Sequence, residues 1–596
     1  MINELQKVKD ALGKLSFILN KEQKRYCVLI FAMSLIAAIF ETLGVSVIIP
    51  VIQAVVSADK LMQEPYMAPF ILLFHLETSI EIIIFLCIGV GVVYIIKNAY
   101  SVFYAWAAAK FSNKIRRELA VKVLDTYMKQ GYIFFVNNNS SKLIRGISSD
   151  VNSVQNVVTN IFSFMCKFLT ILGMTIFIII QSPGMALWIA FLLVFCFIIS
   201  QIVFRKPMRH YGQSAREHSL GASKASLEAV QGSKEVLVFG RQEYFVNEYL
   251  KNMIKYNKAD VQMTVGTVAP SYLIEVVCII GLLVAIAVQI VVVDNSGNLL
   301  AQISTIAVAA VRILPSLGVM LGNVNSIVFN APGLTSAYET ISLIKKLGVE
   351  LDNNNESKKT EHKKTNFEKE LVLANVSYAY PETKKNVIDN LTMTITKGAS
   401  IGLIGASGAG KTTLADIILN LLKPQSGKIL LDGIDIEELG NSWNYIIGYV
   451  PQSIYMVDAS IRRNVAFGIE ETLIDDDKIW NALEMAQMKE FVQNLPQKLD
   501  TKVGEWGVQL SGGQRQRIAI ARALYNDPDI IVLDEATAAL DTETENAVME
   551  SIEALQKVKT LIIVAHRLTT VKKCDEIYEV IDGKAISKTK EEIFNL

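Results

Sequence analysis

Two stretches carry groups suited to phosphate chemistry. Gly405-Ala-Ser-Gly-Ala-Gly-Lys411-Thr412-Thr413 follows the apolar run Ser400–Ile404 and opens a helical pattern. It fits G-x-x-x-x-G-K-[ST] in a strand–loop–helix setting. Glycines at 405, 408 and 410 let backbone N–H groups curl around phosphate oxygens, and the helix N-terminus adds partial positive charge. Ser407 and Thr413 belong to the same loop. Lys411 is suited to the β- and γ-phosphates, and the Thr412 hydroxyl to Mg²⁺. The second stretch is 530–535. Its apolar run reads as a buried strand, with Asp534 and Glu535 at the end where a parallel sheet presents its ligands. Asp534 suits the same Mg²⁺, and Glu535 suits a base that orients and activates an attacking water. Gln452, after the run 446–450, suits the metal or the water. His566 ends the run 561–564. A lone histidine is usually an ordinary polar residue, but at the end of a core strand it suits the γ-phosphate. Together these groups would make a nucleotide hydrolase.

Such groups need elements to hold them. After residue 370, short β-rich runs at 371–376, 391–395, 400–404 and 428–431 alternate with helical patterns, which predicts an α/β domain over 371–596. Ahead of it, 352–370 is polar and charged with almost no apolar residue, and 341–370 reads as a linker. The whole chain has 596 residues, too many for one core. It is 51% hydrophobic and 19% charged, unusually apolar for a soluble protein. Its net charge of zero gives no ground for nucleic-acid binding. Cysteines at 27, 87, 166, 196, 278 and 574 form no CxxC pair, and five lie in apolar segments. Neither a disulfide framework nor a zinc site is expected.

Six segments reach the ~20 apolar residues needed for a membrane span: 26–55, 80–107, 154–181, 184–206, 265–293 and 300–330. The first is too long for a signal h-region and is expected to stay in the membrane. Lys and Arg cluster in 108–153 and 207–262, while the short loops 182–183 and 294–299 hold none. The positive-inside rule then puts both termini and both long stretches in the cytoplasm. Those two stretches, ~50 residues each, are helix-compatible, so paired helices would project ~30 Å beyond the bilayer. Their turns are expected near 132–140 and 232–239; two independent loop domains are the alternative. The apolar loop 56–79 is expected to rest on the outer leaflet or to extend span 2. Within 1–25, residues 5–20 carry Leu5, Val8, Leu12, Leu15 and Leu19 on one face, flanked by lysines. This predicts an amphipathic elbow helix on the membrane surface, or else an ordinary packed helix.

Taken in order, GASGAGKT, YVPQ, LSGGQ, IIVLDEAT, the loop 538–541 and VAHR resemble the ATPase domain of ATP-binding-cassette (ABC) transporters. Six spans (26–340) with long cytoplasmic hairpins, fused ahead of one such domain, resemble an ABC exporter half-transporter. The resemblance covers essentially the whole chain. It implies a membrane all-α six-helix exporter domain followed by an α/β P-loop ATPase domain, with ATP and Mg²⁺ as cofactors. Ser511, Gly512, Gly513 and Gln514 would contact the γ-phosphate of ATP held by a partner subunit, and Tyr380 would stack on adenine. Residues 501–505 would contact the hairpin tips. Ala538 stands where the family often has Ser. The partner is expected to be a second copy of this chain, with a heterodimer as the alternative, in the inner membrane of a bacterium.

Evidence on cargo is confined to charges at membrane depth. Arg312 lies ~12 residues from the outer end of span 6, ~18 Å deep, and an intramembrane charge is a candidate functional site. An internal ion pair with Glu41 or Glu275 is the alternative; Lys167 is a further candidate. Residues 39–50 and 312–316 are similar to the branch that flips lipid-linked oligosaccharides, and a basic cavity residue suits a pyrophosphate-linked lipid. A multidrug or lipid A-type exporter is the nearest rival, and an ATP-gated channel or regulatory subunit a rival of another class. A peptide exporter with an N-terminal protease is disfavoured, because no Cys/His domain precedes span 1.

Overall fold

The computed structural model describes residues 12–48, 50–51, 72–74, 78–181, 183–292, 299–346, 366–381, 383, 385–535 and 542–594. The chain divides into two compact units, residues 1–130 with 134–351 and residues 131–133 with 352–596. The expected outer loop 56–79 and the loop 538–541 lie almost wholly outside the described residues.

The first unit is built on six long helices: α1 (Lys21–Ser46), α2 (Ser79–Met128), α3 (Val151–Gln181), α4 (Pro183–Gln231), α5 (Gln242–Val292) and α6 (Leu299–Lys346). Among the described residues, four helical stretches, beginning at Lys21, Ile80, Ser140 and Gln242, are long and apolar enough to cross a membrane. Helix α2 has 50 residues. At 1.5 Å per residue that is ~75 Å, far more than the ~30 Å hydrocarbon core. Thr78 and Glu81 start it with a reciprocal capping box.

Both expected cytoplasmic turns are helical. Tyr132–Asn137, Ser140–Arg145 and the π-turn Gly146–Asp150 lead from α2 to α3. Ser233–Val238 joins α4 to α5, and Gly240 supplies a left-handed φ of 63° beside it. A cluster of Ile115, Val123, Val154, Val157, Leu334 and Ile341 forms the core of this unit. Leu15, Ile18 and Leu19 belong to the same cluster. Over 12–18 the elbow is therefore a packed helix on its apolar face, with Leu12 left 46% exposed.

Two contacts brace the helices of this unit. The Arg216 guanidinium donates to Asp150 Oδ2 (3.2 Å) and to the Pro332 carbonyl (3.0 Å), which ties α4 to α6 and to the turn before α3. At Gly212 on α4, a Cβ would run into the backbone carbonyl of Phe329 on α6. Backbone cannot rotate away, so Gly212→Ala is expected to force the two helices apart. The cost should be ~1–3 kcal/mol, read as a lower melting temperature of the detergent-solubilised protein.

Helix α6 continues through Lys346, and the rest of the expected linker 341–370 lies almost wholly outside the described residues. In the second unit, an antiparallel sheet has the order β2-β1-β4-β5, with β1 Glu370–Tyr378, β2 Ile388–Thr396, β4 Ser426–Leu431 and β5 Ile434–Asp435. The larger sheet runs β10-β9-β3-β8-β7-β6, where β3 is Ser400–Ile404, β6 Ile447–Val450, β7 Ile530–Asp534, β8 Thr560–Val564, β9 Glu576–Ile581 and β10 Lys584–Lys588. All its pairings are parallel except β9 with β10. Every residue of β3, β7 and β8 is buried. Ile531, Leu533 and Ile563 pack into one core, and Ile401, Val532 and Ile562 into the other. Burial on both faces explains why these strands read as unbroken apolar runs.

Candidate ATP-hydrolysis site

The site lies at the C-terminal ends of β3, β7, β8 and β6, where strand backbone gives way to loops. After β3 the chain turns through Gly408 (φ 80°) and Gly410 (φ 104°) into helix α7 (Lys411–Ile418). A side chain at 410 would be strained and would crowd the Val387 carbonyl at 3.0 Å. Ser407 and Gly408 are exposed on the loop, as is Thr412 at the helix start, while Thr413 is buried. Lys411 is only 4% exposed. Its ammonium folds back to donate to the carbonyls of Gly405 (2.9 Å) and Ala406 (3.1 Å). Burial pulls its pKa below the usual lysine range, opposed by the charges of Glu535 and Asp534. The ammonium is thus held on the loop it would leave for phosphate oxygens.

Strand β7 delivers the two acids in different states. Asp534 is 5% exposed, and its Oδ1 has no hydrogen-bond partner. Burial, then the charge of Glu535, raises its pKa above the ordinary carboxylate range. A buried orphan oxygen beside a lysine fits a bound cation. Among the described residues, no group of three or more His, Cys, Asp or Glu side chains could hold a metal by itself. Mg²⁺ takes one or two protein ligands and completes its shell with water and phosphate oxygens. Thr412 and Asp534 are the residues that would hold it, with Gln452 beside them.

Glu535 breaks the strand. Its φ is +46°, unusual for a residue with a side chain, and its N–H donates to the Val564 carbonyl at 3.0 Å. The turn presents its carboxylate to two partners. Gln452 Nε2 donates to Oε2 at 2.6 Å, and His566 Nε2 lies 2.7 Å from Oε1. Residues from β6, β7 and β8, far apart in sequence, thus converge on one carboxylate. Tyr380 reaches this loop through its hydroxyl, 3.2 Å from Thr413 Oγ1.

Ser511–Gln514 take no part in this hydrogen-bonded cluster among the described residues. They begin helix α8 (Gly512–Leu524), where Ser511 Oγ accepts from the Gln514 N–H and Gln514 Oε1 accepts from the Ser511 N–H. Among the described residues they make no hydrogen bond to Lys411, Asp534 or Glu535. Sequence reasoning missed Arg522 on the same helix. It donates to the carbonyls of Asn464 and Tyr455, both at 2.8 Å, and to Asn464 Oδ1 at 3.0 Å. It therefore ties α8 to the segment that follows Gln452. Nothing in a single Arg on a helix announces that role.

Asp416, on α7, was also missed. Burial, then the charge of Asp534, pushes its pKa up to about 6. A raised carboxyl pKa means that ionisation costs stability. The cost is absent below the ordinary carboxylate range and complete above about pH 6. Asp416→Asn is expected to stabilise the nucleotide-free protein by ~1–2 kcal/mol at neutral and alkaline pH, after allowance for solvent screening. It should bring no gain in acid. Melting curves across pH test this.

In the membrane unit, Glu41 pairs with Lys97 (3.0 Å), a residue the sequence reading did not single out. Lys97 is 3% exposed, its ammonium lies 4.9 Å from the Tyr94 ring centre, and Gly44 leaves room for its stem. A lysine inside an apolar run was the available signal. The Arg312 side chain lies outside the described residues. Lys167 is half-buried and Glu275 is exposed.

Comparison with known proteins follows these features closely. Residues 388–538 match the family described as ABC transporter, and residues 22–313 match the ABC transporter transmembrane region. An ATP-dependent lipid A-core flippase of Pseudoalteromonas translucida is 30% identical over 513 residues, covering 85% of this chain and 84% of the relative. The heterocyst differentiation ATP-binding protein HepA of Nostoc sp. is 29% identical over 466 residues, covering 76% and 73%. A bacterial Atm1-family ABC exporter solved with ATP bound shares the fold, with a TM-score of 0.74 over 97% of both chains at 20% identity. With a phosphate loop, an acid pair on the next strand but one, and a helical membrane unit in one polypeptide, this chain belongs to the ABC transporter family and couples ATP hydrolysis to transport across a membrane.

Proposed function

We propose that the protein works as a homodimeric ATP-driven flippase for an amphipathic, phosphate-bearing lipid, with a polyprenyl-pyrophosphate glycan as the cargo. The observation that carries the ATPase half is the convergence of Gln452 and His566 on Glu535, beside Lys411 and Asp534. In this reading Lys411 binds the β- and γ-phosphates, and Glu535 orients and deprotonates the attacking water. Gln452 and His566 hold that carboxylate in place. Mg²⁺, when bound, would supply a positive charge against the phosphate oxygens. Ser511–Gln514, whose side chains at 511 and 514 cap the start of α8, serve the ATP of the second subunit. ATP closes the two cassettes, and the cytoplasmic hairpins carry that movement to six spans. Both termini lie in the cytoplasm, and the membrane is the inner membrane of a bacterium.

The cargo half is supported by basic residues at membrane depth. Lys167 has no carboxylate within ion-pair distance among the described residues, and Arg312 sits on α6 three residues before Pro315, one of two prolines inside that helix. A phosphorylated lipid headgroup needs such cations. A lipid A-type substrate is the second reading, favoured by the names of the flippase relatives. Proteoliposomes separate the two. A polyprenyl-pyrophosphate glycan should stimulate ATP turnover and be moved across the bilayer, and Arg312→Ala should lower both. Unchanged flipping by Arg312→Ala would remove Arg312 from the cargo path. Stimulation by lipid A alone would replace the cargo assignment. ATP-gated conductance without net transport would replace the flippase reading with a channel.

A further inference from the structure

We propose that the elbow between the N-terminal helix and α1 is a binding site for an anionic phospholipid of the cytoplasmic leaflet. The inference rests on the membrane location of this unit and not on the identity of the cargo. The elbow folds residues 12–18 against the start of α1 and leaves a groove of about 500 Å³. Its apolar wall includes Phe17 and Leu19, and its rim carries Lys21 and Lys24.

Three features give the groove its charge and its address. First, α1 begins at Lys21, so the groove sits where a membrane helix meets its cytoplasmic edge. Second, both lysines are exposed and have no acidic partner among the described residues. The acid between them, Glu22, is turned toward Lys114 at 3.1 Å. Third, the backbone at the bend is satisfied without a ligand. The Asn20 N–H donates to Gln23 Oε1, and the Gln23 N–H donates to Asn20 Oδ1. The ammonium groups are therefore free for a solvent-side anion, while the partly exposed ring of Phe17 offers a surface to an acyl chain. A zwitterionic lipid brings the chain but no net charge, whereas an anionic phosphodiester satisfies both halves. Free phosphate lacks the apolar part.

Gly13 makes the site testable. It lines the groove, and a Cβ there would meet nothing within 4 Å. Gly13→Phe should therefore fill the groove without disturbing the packed face, and a helix tolerates Phe better than Gly. The measurement is native mass spectrometry of the full-length protein in detergent, titrated with phosphatidylglycerol, phosphatidylcholine or glycerol phosphate. Phosphatidylglycerol should bind, phosphatidylcholine more weakly, and glycerol phosphate not at all. Each lysine is worth about fivefold at a membrane surface, so Lys21→Glu/Lys24→Glu should weaken phosphatidylglycerol binding by roughly thirtyfold or more. Lys21→Arg/Lys24→Arg should restore it, and Gly13→Phe should block it with both lysines intact. Basal ATP turnover in detergent should be unchanged in each variant, which serves as the folding control. Equal binding of the two lipids overturns the charge assignment. Full binding by Gly13→Phe overturns the groove, because the lysines would then act only as diffuse surface charge.

Discussion

Glu535→Gln is expected to lower ATP turnover by ~10²–10⁴-fold, the usual worth of a positioned general base, while leaving ATP binding intact. The change keeps the shape of the side chain and removes only its basicity. Phosphate contacts are left alone, since Lys411, Gly410 and Thr412 lie on a different strand–helix connection. The left-handed backbone at 535 is retained as well, because Gln and Glu meet the same steric cost at φ +46°. Bound ATP that is not cleaved should hold the two subunits in their closed arrangement. The direct measurement is nucleotide retained after vanadate-free gel filtration, beside steady-state phosphate release. Turnover near the original rate would show that Glu535 is not the base, whatever the fate of the dimer. His566→Ala then becomes informative. If His566 only holds the Glu535 carboxylate at 2.7 Å, its loss should cost less than that of Glu535 itself.

Lys411→Ala should have the opposite signature, failing at binding before chemistry begins. Two charge-assisted hydrogen bonds to phosphate oxygens are worth ~3–5 kcal/mol together. ATP affinity is therefore expected to fall by ~10²–10³-fold, with no measurable turnover at moderate nucleotide. Without nucleotide the ammonium satisfies the carbonyls of Gly405 and Ala406, so the variant also leaves two acceptors unpaired. Lys411→Arg keeps the charge and separates the two effects. If the alanine variant binds ATP normally by fluorescent-nucleotide titration, the phosphate role of Lys411 is wrong. Comparing the two substitutions divides the site into a binding half on α7 and a chemical half on β7.

Most of the ATPase unit was legible because its signals are local. Strand β3 covers residues 400–404 as the apolar run predicted, and β7 extends the run 530–533 by one residue to include Asp534. Buried parallel strands must be apolar on both faces, and a phosphate loop must carry glycine where φ is positive. Both demands appear directly as residue types. The long helices of the first unit were legible for a similar reason, since a segment in hydrocarbon must satisfy its backbone within itself and be apolar along its length.

What only the tertiary structure decided is how distant side chains meet. Nothing local joins Gln452, Glu535 and His566. They meet because β6, β7 and β8 are neighbours in one sheet. The same holds for Lys97 and Glu41, brought together by the packing of α1 on α2. Ser511–Gln514 show the distinction most clearly. Their residue types mark a helix start and their order marks a family, yet the side chains of Ser511 and Gln514 cap each other's backbone. The sequence by itself determined the fold of each unit and the chemistry of the phosphate site, because those follow from periodicity and residue type. Pairing between elements depends on how they pack in three dimensions, and only the tertiary structure decided that.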